Sequence, residues 1–106
     1  MKILAIIPAR GGSKGVPRKN VIEINGNPLI SYTISAALKA SLITDIVVST
    51  DDPEIAEISR KLGAQVPFMR PLDLASDQAQ SAPVIEHALF FMEKIKDFKY
   101  DAILML

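Results

Sequence analysis

The sequence predicts an α/β domain with a mostly parallel sheet. Short apolar runs rich in β-branched residues alternate along the chain with segments whose apolar residues recur every three or four positions. Proline, glycine or asparagine stands at the boundaries between these segments, where the chain must turn. Strands that alternate with helices of about 10 to 15 residues are typical of a parallel sheet with right-handed crossovers. At 106 residues the chain is long enough for one domain, which we expect to span residues 1–106.

Five short segments have the composition of strands. The first and the last are continuous apolar runs, as expected for strands buried on both faces of a sheet, and the fourth contains proline, which favours a sheet edge. The second alternates only briefly before the turn signal Asn25-Gly26. In order they are Ile3–Ile7, Val21–Ile24, Ile46–Val48, Gln65–Phe68 and Ala102–Leu106. The chain ends inside the last one, so we expect the front part of a longer protein and an incomplete sheet.

The first two predicted helices begin with a capping residue followed by proline. Asn27 is the predicted N-cap of a helix that runs over residues 29–40, with Pro28 as its first helical residue. The same pattern, Asp51-Asp52-Pro53, opens the second helix, which ends at Gly63.

The third predicted helix opens at Ser81, with Pro83 in its first turn. Its apolar residues repeat at helical spacing and predict one buried stripe. The members of this stripe are Val84, Ile85, Ala88, Leu89, Met92 and Ile95.

The composition excludes several classes of function. Twelve basic residues balance 12 acidic ones, so no overall positive field is available to hold nucleic acid or an anionic membrane. The absence of cysteine excludes thiolate chemistry, and a single histidine excludes a multi-histidine metal centre. No apolar run approaches the roughly 18 residues of a membrane span. We therefore expect a cytoplasmic protein that binds neither nucleic acid nor membrane.

The main candidate for a binding site is the basic, glycine-rich loop predicted after the first strand, Ala9 to Asn20. The first 22 residues contain no acidic residue, and their cations are Lys2, Arg10, Lys14, Arg18 and Lys19. The loop leaves the strand at its carboxyl end, where open α/β sheets bind ligands. Glycines within it let backbone N–H groups converge on phosphate oxygens. The loop therefore predicts a phosphate site, and a solvated turn is the alternative.

Two common phosphate motifs do not fit this loop. The segment Gly11-Gly12-Ser13-Lys14-Gly15 lacks the spacing of the dinucleotide fingerprint, and no Gly-Lys-Ser/Thr completes a P-loop. A nicotinamide dehydrogenase and a P-loop kinase are therefore disfavoured.

The segment from Ile7 to Asn20, IPARGGSKGVPRKN, closely resembles the signature of the acylneuraminate cytidylyltransferases, the CMP-sialic acid synthetases. The likeness continues in order through Asn25–Leu29, Val48–Asp51, Arg70-Pro71 and Leu74–Asp77. Those enzymes transfer CMP from CTP to a nine-carbon 2-keto sugar acid, a nonulosonic acid, and release pyrophosphate. The resemblance implies the same reaction here, on a three-layer Rossmann-like nucleotidyltransferase fold.

The resemblance also implies roles for individual residues. Arg10, Lys14 and Lys19 are the expected catalytic residues, because cations near the phosphates stabilise the charge that moves onto the leaving pyrophosphate. Ser81 and Arg70 match positions near the cytosine ring. The full set of implied nucleotide-binding residues is Ala9, Arg10, Gly11, Ser13, Lys14, Lys19, Asn20, Arg70 and Ser81.

Some of these residues have a structural alternative. Asn20 would also suit the turn into the second strand, and Ser81 occupies the expected N-cap of the third helix. Arg70 lies in a polar loop and would also fit as surface charge. Asp51 follows a strand like a metal ligand, but helix capping is the favoured interpretation. His87, at the border of an apolar stripe, receives no functional role.

The resemblance implies a magnesium ion whose acidic ligands lie beyond residue 106, and a homodimer in the full-length enzyme. A CMP-legionaminate or CMP-pseudaminate synthetase is a close alternative, since the choice of sugar lies outside these residues. Ketodeoxyoctonate cytidylyltransferases fit less well. A non-catalytic nucleotide-binding module and a nucleotidyltransferase for another base remain open.

Overall fold

The computed structural model describes residues 1–10, 23–71, 74 and 81–106. The helices and strands there are β1 (Ile3–Pro8), β2 (Glu23–Ile24), β3 (Asn27–Pro28), α1 (Leu29–Lys39), β4 (Asp45–Ser49), α2 (Pro53–Lys61), α3 (Ser81–Lys96) and β5 (Ala102–Met105). Within these ranges the main sheet has three strands in the order β4-β1-β5, and both pairings are parallel. The predicted α/β class with a parallel sheet is confirmed.

Helices cover both faces of the sheet. Alternate residues of β1 point to opposite sides, so its apolar side chains pack against helices on each face. Leu4 and Ile6 pack against α3, in a cluster that contains Ala88 and Met92. Ala5 and Ile7 pack against the other two helices, in a cluster with Ile30, Ile34, Ile55 and Ala56. The result is the predicted three-layer arrangement of helices, sheet and helix.

The strand β1 lies at the centre of the sheet. Its residue Ile6 is in register with Val47 of β4 on one side and with Met105 of β5 on the other. The chain passes from β1 to one neighbour and later to the opposite neighbour, so the strand order reverses at β1. In open α/β sheets such a reversal opens a crevice beyond the carboxyl ends of the strands, where ligands bind.

The start of α1 differs from the prediction by one residue. The turn at Asn25-Gly26 is confirmed, with φ of 53° and 83°, and positive φ at both positions is what a type I′ hairpin turn requires. Asn27 was the predicted N-cap, but the hairpin pairs it with Ile24. Pro28 is the N-cap instead and makes no side-chain capping hydrogen bond.

The boundaries of α2 agree with the predicted signals. Asp52 is the N-cap, and its Oδ1 accepts hydrogen bonds from the backbone N–H groups of Glu54 at 2.8 Å and Ile55 at 3.2 Å. Gly63 follows the helix with φ of +103°, a conformation that glycine adopts without steric cost.

The segment Gln65–Phe68 is not a full strand. It forms one parallel bridge to Val47, with two backbone hydrogen bonds of 2.9 Å to Ile46 and Val48. The ladder stops there, because Pro67 has no N–H to donate. The predicted edge position is confirmed, but the predicted strand is reduced to a bridge.

Burial in the last third departs from the prediction at two places. Val84, Ala88 and Met92 are buried as predicted, whereas Ile95 is 53% exposed. The core cluster on that face includes no helix residue beyond Met92, so the last turn of α3 has nothing described to cover it. The strand β5 was predicted to be buried, but all four of its residues are exposed. In the described ranges it pairs only with β1.

No helix within the described residues combines the length and the apolar character that a membrane crossing requires.

Candidate nucleotide site

The carboxyl ends of β1 and β4 meet at one edge of the sheet. The backbone N–H of Ala9, directly after β1, donates a 2.9 Å hydrogen bond to the carbonyl of Ser49, the last residue of β4. The backbone N–H of Arg70 donates a 2.7 Å hydrogen bond to the carbonyl of Thr50. The structure thus brings the start of the basic loop together with Arg70, although 60 positions separate Arg10 from Arg70 in the sequence.

Arg70 is buried, and its side chain is held by three hydrogen bonds. Nε donates to the hydroxyl of Ser49 at 3.1 Å, and Nη2 donates to the carbonyl of Ser49 at 2.7 Å. Nη1 donates to the carbonyl of Leu74 at 3.2 Å. The residue is only 6% exposed, so the alternative that Arg70 is surface charge is wrong.

The charges at this edge act on one another. Burial lowers the pKa of Arg70, the carboxylate of Asp51 raises it, and the nearby charge of Arg10 lowers it again. Two guanidinium groups therefore share a neighbourhood with one carboxylate. Charges of both signs therefore act on Arg70 at this edge of the sheet.

Capping of α2 belongs to Asp52 and not to Asp51, which corrects the favoured interpretation of Asp51. The N–H of Asp52 donates a 3.1 Å hydrogen bond to the hydroxyl of buried Thr50, and its carboxylate then caps the helix. Asp51 instead acts through its charge on Arg70. The two adjacent aspartates thus have different environments, which their sequence does not distinguish.

Ala9 is almost completely buried and belongs to the core cluster under α1 and α2. Its N–H is occupied by Ser49, so this N–H is not directed at a ligand. Its small side chain fits where the strand leaves the core and the basic loop begins.

Several predicted site residues lie outside the described residues, and their roles stay predictions: Gly11, Ser13, Lys14, Lys19 and Asn20. Ser81 was predicted to be the N-cap of α3, but it is the first residue of that helix. Its side chain also lies outside the described residues.

Sequence reasoning gave no role to Ser49, although it lay within the matched segment Val48–Asp51. Ser49 is fully buried; its carbonyl oxygen accepts hydrogen bonds from Ala9 and Arg70, and its hydroxyl accepts a third from Arg70. The available signal was a hydroxyl residue at the carboxyl end of a buried strand, directly before the polar turn. His87, by contrast, packs among aromatic rings, with centroid distances of 4.7 Å to Phe68 and 5.0 Å to Phe91.

The described residues form no metal site from protein ligands alone. Nowhere in ranges 1–10, 23–71, 74 and 81–106 do three His, Cys, Asp or Glu side chains cluster as ligands of a metal ion. Magnesium is usually bound through one or two carboxylates together with substrate phosphates, and Asp51 and Asp52 are the two carboxylates that follow β4 at this edge.

Comparison with known proteins places the chain in a family. The family model described as Cytidylyltransferase matches residues 4–95. The chain therefore belongs to the cytidylyltransferase family.

The relatives carry the names of three sugar-acid enzymes. A pseudaminic acid cytidylyltransferase of Campylobacter jejuni is 48% identical over 93 residues, which cover 88% of this chain and 40% of the relative. A CMP-N,N'-diacetyllegionaminic acid synthase of Legionella pneumophila is 44% identical over 106 residues, which cover 100% of this chain and 45% of the relative. An N-acylneuraminate cytidylyltransferase of Escherichia coli is 41% identical over 97 residues, which cover 92% of this chain and 23% of the relative. The resemblance to the acylneuraminate cytidylyltransferases is confirmed, and the chain spans less than half the length of these relatives.

A solved structure has the same fold. The structure of CMP:2-keto-3-deoxy-manno-octonic acid synthetase complexed with CTP superimposes with a TM-score of 0.71 at 25% identity, over 99% of this chain and 40% of that one. The chain therefore has a Rossmann-like nucleotidyltransferase fold.

Proposed function

We propose that this chain is the nucleotide-binding part of a CTP-dependent cytidylyltransferase that transfers CMP to a nine-carbon 2-keto sugar acid and releases pyrophosphate. The observation that supports it is the juxtaposition of Arg10 and buried Arg70 at the carboxyl edge of β1 and β4, in a chain of the cytidylyltransferase family.

Arg70 would recognise the cytosine ring. A guanidinium presents N–H donors in a fixed planar fork and accepts no hydrogen bond. Cytosine offers acceptors at both O2 and N3, whereas uracil has an acceptor at O2 and carries a hydrogen at N3. A fixed guanidinium therefore pairs with cytosine at two points and meets a donor on uracil. Ser81 would add a hydroxyl near the same ring.

The basic loop would hold the triphosphate. In the reaction the anomeric oxygen of the sugar acid bonds to the α-phosphorus, and the bond from that phosphorus to the bridging oxygen of pyrophosphate breaks. Arg10, Lys14 and Lys19 would stabilise the charge that develops on the leaving group and hold the reactants in line. Gly11, Ser13 and Asn20 would complete the binding loop, and buried Ala9 would join that loop to the sheet.

Magnesium, dimerisation and a cytoplasmic location belong to the proposal for the whole protein. They rest on the family resemblance. The ion's carboxylate ligands are expected beyond residue 106, and the ion would neutralise phosphate charge when bound.

The acceptor is proposed as a nonulosonic acid. The names of the relatives, a pseudaminic acid cytidylyltransferase, a legionaminic acid synthase and an N-acylneuraminate cytidylyltransferase, support a bacterial relative of sialic acid as the second candidate acceptor. Assay of the longer parent protein with the three sugar acids would separate these acceptors.

Calorimetric titration of this chain with magnesium-CTP, beside UTP, GTP and ATP, tests the proposal. Circular dichroism first establishes that the chain is folded. Preference for CTP is the expected result. Equal binding of all four nucleotides would retain the phosphate loop and reject the cytosine pocket, and no binding by a folded chain would reject the proposal for these residues. CTP binding without turnover by the longer protein would favour a non-catalytic module.

A further inference from the structure

We propose that Ser49 is a positioning residue for base selection, because it fixes the guanidinium of Arg70 in one orientation. The inference deepens the proposed function and rests on it. Ser49 has no exposed surface at the end of β4, so it would act through Arg70 and not by touching the nucleotide.

Two hydrogen bonds from one guanidinium edge go to this single residue. Nε bonds to its hydroxyl at 3.1 Å and Nη2 to its carbonyl at 2.7 Å. Paired contacts along one edge set both the tilt and the rotation of the planar group. The bond from Nη1 to Leu74 holds a third corner at 3.2 Å. Three of the five N–H donors are used in this way, and the direction of the other two is thereby fixed.

The three acceptors that the described residues offer the guanidinium are neutral oxygens. Two are backbone carbonyls and one is a hydroxyl. A buried cation is costly unless hydrogen-bond acceptors and opposite charge satisfy it. Asp51 offsets part of the charge from its place at the same edge, but Arg10 adds a second cation. This arrangement suits a ligand that supplies acceptor atoms.

The hydroxyl of Ser49 has a separable role. Its carbonyl is shared between Ala9 and Arg70, and it would remain in any side-chain variant. The hydroxyl bonds to Nε of Arg70. Ser49→Ala therefore loosens the guanidinium without removing the backbone contact that joins the basic loop to β4.

The test compares nucleotide binding by Ser49→Ala with that of the parent chain. We expect the dissociation constant for CTP to rise about tenfold, on the scale of one lost hydrogen bond to a charged group, and the preference for CTP over UTP to fall. Ser59→Ala is the matched control. Ser59 is equally buried, and within the described part of the chain its hydroxyl has no hydrogen-bond partner. The Ser59→Ala chain should bind CTP and UTP as the parent does.

A double-mutant cycle distinguishes positioning from a general structural effect. If Ser49 acts through Arg70, Ser49→Ala should change the CTP preference little in an Arg70→Lys background, because lysine has no Nε–H fork to orient. Equal effects in the two backgrounds would contradict the inference.

The outcomes separate the two proposals. If the folded parent shows no preference for CTP, the proposed function fails and the inference falls with it. If the parent prefers CTP and a folded Ser49→Ala chain binds like the parent, the inference alone is overturned. If Ser49→Ala does not fold, the inference is tested on the parent chain by nuclear magnetic resonance of the Arg70 side chain. The Nε–H signal of Arg70 should shift on saturation with CTP, and an unchanged signal would overturn the inference.

Discussion

The hydroxyl of Tyr100 donates a 2.6 Å hydrogen bond to Oδ2 of Asp45, across 55 positions of the sequence. The other carboxylate oxygen accepts a 3.0 Å hydrogen bond from Nε2 of Gln65 and lies 3.6 Å from Nζ of Lys96. Asp45 begins β4, so this cluster lies at the amino end of the strand, opposite the proposed nucleotide site. It joins β4 to the end of α3 and to the segment before β5. We infer a structural role for it.

This cluster should make stability depend on acid pH. Burial alone would raise the pKa of Asp45, but hydrogen bonds from Tyr100 and Gln65 and the charge of Lys96 hold it below its ordinary value. An aspartate whose pKa is lowered by folding stabilises the native state above its unfolded pKa of about 3.9. That stabilisation is lost as the pH falls through the folded pKa. We expect Asp45→Asn to lower the free energy of unfolding by about 1 to 2 kcal/mol at pH 7 and by less near pH 3.

Urea denaturation of parent and variant at pH 7, 5 and 3 measures this difference. Glu57→Gln is the control, because Glu57 pairs with Lys61 on an exposed helix surface and should matter little at any pH. A gap between parent and Asp45→Asn that stays constant from pH 7 to pH 3 would show that the carboxylate charge is not responsible.

The cap of α2 gives a second prediction. Asp52→Ala removes the acceptor of two backbone N–H groups in the first turn and should lower the free energy of unfolding by about 1 kcal/mol. Asp52→Asn retains a side-chain oxygen in the same place and should lose much less. Denaturant titration of both variants checks the order. Equal losses would indicate that the negative charge of Asp52, and not the cap geometry, supports the helix.

The order of elements could be predicted because its signals are local. The apolar run at the start of the chain, the turn at Asn25-Gly26 and the proline after Asp52 each fix nearby backbone. Whether Ile95 and the residues of β5 are buried depends on which other elements pack against them. The spacing of apolar residues shows which face of a helix is apolar, but it does not show where the helix extends past the edge of the sheet. The contact between Ser49 and Arg70 joins residues 21 positions apart, and only the fold brings them together.

A comparison within α3 tests how far the core extends along that helix. Met92 is fully buried against Leu4 and Ile6, so Met92→Ala should lower the free energy of unfolding by about 2 to 5 kcal/mol. Ile95→Ala, one turn further on, should change it by about 0.5 kcal/mol or less, because more than half of that residue is exposed. Thermal or urea unfolding of the two variants provides the measurement. A loss of several kcal/mol at Ile95 would mean that something covers the last turn of α3.

Substitution in the basic loop addresses the proposed phosphate contacts most directly. Lys14→Ala and Lys19→Ala should each weaken CTP binding about tenfold, because a hydrogen bond between charged groups is lost. Their circular dichroism and unfolding midpoints should stay near those of the parent, since both changes remove charge from the predicted loop and neither removes apolar volume. Lys61→Ala is the charge-matched control, because Lys61 pairs with Glu57 at the exposed end of α2. Binding of CTP by both loop variants with the parent's affinity would reject the phosphate-loop assignment. Equal weakening by Lys61→Ala would instead mean that overall charge, and not the loop, attracts the nucleotide.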